Sequence, residues 1–216
     1  IITKLWKTDM ARERVQPGLE EAMRRLQTDY IDVFFIHYPS ETVPIEETMT
    51  ELMRLKAEGK IGAIGVSNFY PNILTNFCET VKIGPMVNQV ELHPFFAQEN
   101  ALETMRHYGV VPEAWAPLGG GRYAPFENKT LLKIAAVHGK AVSQVMLRWN
   151  VQRGVVVIPK STHRERIVQN LDIWDFSLTE EEMGQISALD LGYAGTAVKH
   201  FDPDFVRMCV TRKIHD

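Results

Sequence analysis

Polar and aromatic residues stand where the apolar runs of this chain end: Lys4, His37, Ser67 with Asn68, Gln89 followed by Glu91 and His93, Trp115, and Lys160 with Ser161. If the runs are parallel strands, these side chains point toward one mouth, where a barrel gathers its functional groups. Each also has an ordinary alternative. Lys4 reads as a strand-end lysine reaching solvent, His37 as a buried, hydrogen-bonded structural histidine, and Ser67-Asn68 as part of a turn. Gly119–Gly121 reads equally as a flexible loop, and Cys78 as an inert buried thiol. Anion binding is the most explicit chemistry, and it falls on Lys160, Ser161 and Arg166. Thr162 to Glu165 fits the capping-box pattern, so a helix should start there, with free N–H groups and a dipole that favour an anion. Arg166 lies one turn on, where its planar fork could pair with two phosphate oxygens. A capped helix with solvated basic residues is the alternative at this point.

The elements that must position these groups alternate with little variation. Apolar runs occupy Ile1–Leu5, Tyr30–Ile36, Ile61–Val66, Met86–Leu92, Val110–Ala116 and Val155–Ile158. Helix-period stretches include Pro17–Leu26, Ile45–Glu58, Asn100–His107, Leu131–Val137, Val142–Trp149 and Arg164–Leu171. Near-continuous apolar strands alternating with amphipathic helices indicate a parallel sheet covered by helices. A second capping box, Thr179 to Glu182, predicts a further helix start. The one glycine cluster follows the fifth run and does not match G-x-G-x-x-G, which argues against a doubly wound dinucleotide fold. A (β/α)8 barrel needs about 250 residues. Six strands in 216 residues therefore predict a barrel without its first two βα units. The start at Ile1, with no Met and inside a strand, fits that expectation. The tail from Gly192 to Asp216 reads as a long loop packed on the domain by Phe201, Phe205, Val206 and Met208.

Composition narrows the partners. Apolar residues make up 45% and charged residues 24%, with 24 Lys+Arg against 27 Asp+Glu and a net charge of −3. Nothing here predicts a nucleic-acid face. No run approaches the roughly 20 apolar residues of a membrane span, and no signal-peptide pattern appears at the start of the sequence. Two cysteines, Cys78 and Cys209, are too few for a disulfide framework or a Cys-based zinc site, so a reducing cytoplasm and no metal are expected.

Taken in order, the motifs resemble the aldo-keto reductase family over essentially the whole chain. They are Thr3-Lys4-Leu5-Trp6, Asp32-Val33 leading into Ile36-His37-Tyr38-Pro39, Gly62 to Phe69, Asn88 to Pro94, Ala116-Pro117-Leu118-Gly119, and Ile158-Pro159-Lys160-Ser161 with Arg166 and Asn170. The resemblance implies one (β/α)8 domain over 1–216, holding strands three to eight and a tail from about 192. It also implies reduction of aldehydes and ketones with NADPH. Carried over by motif, the catalytic lysine is Lys4 and the catalytic histidine His37. The family's acid tyrosine and its aspartate partner have no counterpart here, and the chain as written is expected not to turn over. Ser67, Asn68, Gln89 and Trp115 match the nicotinamide site, and Leu118 and Gly120 the pyrophosphate site. Lys160, Ser161, Thr162, Arg166, Gln169 and Asn170 match the adenine end. Trp6 and Tyr38, with tail residues around Phe201, would line the substrate pocket. Ala116 stands where many relatives carry serine.

The leading reading is an NADPH-dependent carbonyl reductase acting on a small-molecule substrate, monomeric if its barrel is complete. A non-catalytic NADPH-binding regulatory module of the same superfamily is the second. An unrelated phosphate-binding barrel lyase or isomerase is allowed by fold alone but leaves Ile158–Asn170 unexplained.

Overall fold

A computed structural model of the chain describes residues 1–199 and 202–211. Six strands are hydrogen-bonded in chain order into one sheet: β1 (Ile2–Leu5), β2 (Ile31–Ile36), β3 (Ile61–Ser67), β4 (Val87–Glu91), β5 (Val111–Trp115) and β6 (Val156–Val157). The pairings β1·β2, β2·β3, β3·β4 and β5·β6 are parallel. Nine helices are described: α1 (Arg12–Leu26), α2 (Ile45–Ala57), α3 (Pro71–Val81), α4 (Glu99–His107), α5 (Lys129–His138), α6 (Val142–Gln152), α7 (Arg164–Leu171), α8 (Glu180–Ser187) and α9 (Pro203–Thr211).

The chain divides into two compact units. The first comprises Ile1–Gln89, Asn100–Val111 and the tail from Val198; the second comprises Val90–Glu99 and Pro112–Ala197. In the first, Phe34, Phe35 and Ile36 of β2 and Val66 of β3 are wholly buried, as are Leu52 and Leu55 of α2. Apolar side chains on both faces of a strand are what a helix-covered parallel sheet requires. Register sets the close approaches. Gly65 lies opposite Phe35 on one side and Val87 on the other, and a Cβ there would meet the Phe35 ring at 2.9 Å and Val87 at 3.0 Å. In the second unit the core is built on Leu131, Val145, Met146, Leu147, Trp149 and Ile186.

Three expectations are corrected. The tail is no plain loop, because Pro203–Thr211 forms α9, and the Asp202 carboxylate accepts the Asp204 N–H at 2.9 Å. Asp followed by Pro is a helix-start signal. Thr162 does not cap α7. His163 occupies the N-cap without a side-chain bond, and its N–H donates to the Ser161 hydroxyl at 3.1 Å. The serine serves the turn, so the helix starts one residue late for a Thr162–Glu165 box. Third, α1 begins at Arg12 and runs through Pro17, its halves held by buried Val15 and Leu19. The box at Thr179–Glu182 is present, with both reciprocal bonds.

Candidate active site

In the first unit, the C-terminal ends of β1 to β4 are chained together by hydrogen bonds. The His37 N–H donates to the Leu5 carbonyl at 3.1 Å. The Asn68 side-chain amide donates to the His37 carbonyl at 3.0 Å and to the Ser67 hydroxyl at 3.1 Å. Ser67 Oγ and the Asn68 N–H each donate to the Gln89 carbonyl, both at 2.9 Å. Asn68 adopts a φ of 63°, a left-handed conformation that Asn tolerates because its short side chain bonds locally. Ser67, Asn68 and Gln89 are all buried. Their polar atoms are therefore fixed before any ligand arrives.

Lys4 is half-buried on β1, opposite Phe35, with Nζ 5.6 Å from that ring's centroid. Trp6, His37 and Tyr38 form a ring cluster. Trp6 meets His37 edge-on at 5.0 Å and Tyr38 at 5.7 Å, while His37 and Tyr38 stack at 5.0 Å. Phe205 of α9 meets Tyr38 at 5.8 Å. Phe201, expected beside them, lies outside the described residues. Lys4 and Trp6 also line a cleft of about 480 Å³ between β1 and α1, with Asp9, Arg14 and Glu21. Lys7, unremarked in the sequence, is buried and paired with Glu41.

In the second unit, a cleft of about 520 Å³ is lined by Leu118, Phe126, Ser143, Lys160, Ser161, Arg166, Gln169 and Asn170. Five of these eight, Lys160, Ser161, Arg166, Gln169 and Asn170, are residues expected at a nucleotide's adenine end, and Leu118 was expected at its pyrophosphate. Phe126 and Ser143 were missed. Ser143 shows itself only through its 3.5 Å bond to Gln169, and Phe126 through 56% exposure for a large aromatic. Lys160 and Arg166 have no ion-pair partner among the described residues, whereas Lys140 and Arg153 are both paired with carboxylates. Two uncompensated cations beside the start of α7 form an electrostatic setting for an anion. Thr162 is exposed and outside the lining, as is Gly120. Gly120 follows Leu118 on a loop where Gly119, Gly120 and Gly121 all adopt positive φ. Trp115 ends β5 half-buried and accepts the Leu92 N–H through its carbonyl at 3.4 Å.

Among the described residues, no cluster suits a metal ion, and no helix is long and apolar enough to cross a membrane.

The sequence model of the Aldo/keto reductase family matches residues 1–191. The 9,11-endoperoxide prostaglandin H2 reductase of Trypanosoma cruzi is 44% identical over 191 residues, covering 88% of this chain and 67% of that protein. The glyoxal reductase of Bacillus subtilis is 42% identical over 190 residues, with 88% and 68% coverage. The crystal structure of a Bombyx mori aldo-keto reductase in complex with NADP superposes with a TM-score of 0.82 at 35% identity, covering 88% of this chain and 67% of that one. The chain thus spans about two thirds of the length of these relatives. Its six parallel strands correspond to six of the eight strands of their (β/α)8 barrel.

Proposed function

The chain belongs to the aldo/keto reductase family, and on that premise we propose that it binds NADPH and carries the lysine and histidine of a carbonyl reductase. The observation that carries this reading is the cleft around Lys160, Ser161 and Arg166, whose two cations, without an ion-pair partner among the described residues, suit a phosphate-bearing nucleotide. The 2′-phosphate of NADPH carries close to two negative charges and needs fixed positive charge and donors; NADH would leave them unmet. Residues 1–216 are read as one barrel domain of a cytoplasmic protein, acting on a small carbonyl compound.

NADPH when bound supplies the hydride that reduces an aldehyde or ketone. The chain's own groups do the rest. Ser67, Asn68 and Gln89 hold the carboxamide, and Trp115 covers the ring face. Leu118 and Gly120 lie along the pyrophosphate, where a small residue lets the backbone approach. His37 donates to the substrate oxygen and orients it. Trp6 and Tyr38 line the pocket that excludes water around it. Lys4 supplies a positive charge that would stabilise a phenolate and so lower the pKa of a phenol from its usual value near 10. The family's acid tyrosine and its aspartate have no counterpart among these 216 residues. The developing alkoxide must be protonated as it forms, so the chain alone should bind cofactor without turning over.

The test is a pair of measurements on the 216-residue chain: NADPH titration by Trp fluorescence quenching, and NADPH oxidation with a substituted benzaldehyde. Saturable quenching without turnover is expected. Turnover at an ordinary enzyme rate of ~1–10³ per second would mean that another acid serves. Tyr38, stacked on His37, would be tried first as Tyr38→Phe. Absence of quenching would sink the cofactor reading itself.

A further inference from the structure

Glu91 ends the fourth strand and His93 lies two residues beyond it, and the reading above uses neither. Glu91 is 0% exposed. Its carboxylate nevertheless accepts from His93 Nε2 at 3.2 Å, the Arg122 guanidinium at 2.9 Å, the Thr196 hydroxyl at 2.9 Å and the Ala197 N–H at 2.8 Å. Burial alone would push this carboxyl's pKa up; the bonds from His93, Ala197 and Thr196 outweigh it and hold the value below the usual one. A buried carboxylate persists only when its lone pairs are met. The segments that meet them are therefore held by it in turn.

One of those segments is under strain. Between 116 and 124, positive φ angles occur at Ala116 (49°), Gly119 (81°), Gly120 (59°), Gly121 (80°), Tyr123 (65°) and Ala124 (41°). Glycine adopts these freely, but alanine and tyrosine keep them only where the surroundings over-determine the backbone. Two anchors do so. Arg122 bonds Glu91, and the Tyr123 hydroxyl donates to the Gly195 carbonyl at 2.5 Å while its ring stacks on Phe95 at 5.1 Å. The 190–197 segment is fastened to the same place. Asp190 accepts the Ala97 N–H at 3.1 Å, the Leu191 N–H donates to the Phe95 carbonyl at 3.1 Å, and a Cβ on Gly195 would lie 1.8 Å from that oxygen.

We infer that Glu91 is a positioning residue for cofactor binding: through Arg122 it holds the 116–124 loop in the left-handed form that lays Leu118 and Gly120 along the pyrophosphate. Through Thr196 and Ala197 it ties the 190–197 segment to the same buried charge. The inference rests on the NADPH reading above. It separates the loop from the charged wall of the cleft: neither Glu91 nor Arg122 lines the cleft of Lys160, Ser161 and Arg166, and of the 116–124 loop Leu118 alone does. Loss of the anchor should weaken whole NADPH and spare a ligand that occupies only the adenine end.

The experiment compares the unmodified protein with Glu91→Gln and Arg122→Leu, titrated by calorimetry with NADPH and with adenosine 2′-monophosphate. Hydrogen–deuterium exchange is followed in the ligand-free proteins. Each variant should weaken NADPH by about 10-fold or more, the loss of one charge-assisted bond. Affinity for adenosine 2′-monophosphate should stay within about 2-fold, a change too small to represent a lost bond. Exchange should quicken over 116–124 in both variants, and also over 190–197 in Glu91→Gln. NADPH affinity that is unchanged in both variants, or both ligands weakened by one factor, would overturn the inference. If Glu91→Gln does not fold, Arg122→Leu carries the test, since Arg122 is partly exposed. If the unmodified protein binds no NADPH, the cofactor reading fails. Exchange over 116–124 then decides the anchor alone, and unchanged protection in the variants overturns it.

Discussion

Arg166 is exposed on α7 and faces the 520 Å³ cleft without a carboxylate partner among the described residues. Arg153 makes the useful contrast: its guanidinium bonds the Ala97 carbonyl and Glu99, both at 2.6 Å, and lies 4.0 Å from the Trp149 ring centroid. An arginine so engaged is structural; one left unneutralised beside a lysine at a helix start is placed for an anion. A charge-assisted hydrogen bond is worth roughly 1.5–3 kcal/mol net. Arg166→Ala should therefore weaken NADPH by roughly 10- to 100-fold and leave NADH almost unchanged. Titration of both cofactors by Trp quenching measures this, with Trp115 the expected reporter. Equal losses for the two would mean that Arg166 holds α7 in place and reads no phosphate.

Helix starts separate two threonines that look alike in sequence. Thr179 Oγ1 accepts the Glu182 N–H at 3.2 Å, and Glu182 Oε2 accepts the Thr179 N–H at 2.8 Å. Glu182 also receives His138 of α5 at 2.9 Å, so the box joins two helices. Thr162 makes no such bond. Thr179→Ala should cost about 1 kcal/mol, lowering Tm by roughly 2–4 °C in a chain of this size. Thr162→Ala should leave Tm within the ordinary scatter of surface changes; equal Tm losses from both would contradict the observed cap at His163. The difference shows what was legible in the chain. Strands were, because residues such as Phe34-Phe35-Ile36 are buried on both faces and read as unbroken apolar runs. Strand-end polar residues followed from them. α9 was hidden behind a tail without periodicity, although Asp202-Pro203 marked its start. The α7 cap was misread because a Thr-x-x-Glu pattern does not say which of Ser161, Thr162 and His163 turns the backbone. The Glu91 anchor could not be read at all, since Arg122 and Thr196 lie 31 and 105 residues away along the chain.

Over the whole molecule, acid stability turns on carboxylates held ionised by partners. Glu91 in the second unit is held down by His93, Ala197 and Thr196 against its burial, and Glu182 by Thr179 and His138. In the first unit, Arg54 holds down Glu51, whose side chain is mostly buried. The exposed Glu21, lowered to about 2 by Arg24 and Arg25, sits in solvent and contributes little through such surface pairs. The sign follows from linkage. A carboxyl whose folded pKa lies below its unfolded value of 4.5 binds fewer protons folded than unfolded. Its stabilisation is complete above that value and is lost as pH falls through the lowered one. Tm should therefore fall on acidification below about pH 4.5. Glu91→Gln removes the most deeply buried of these charges, and amide nitrogen does not titrate. That variant should start from a lower Tm at neutral pH and lose less of it between about pH 4.5 and pH 3 than the unmodified protein. Calorimetric scans of both across that range decide the matter. Parallel curves would show that the four donors around Glu91 do not favour its ionised form over the unfolded chain, and a variant that loses more Tm than the unmodified protein would show that they serve a neutral acid.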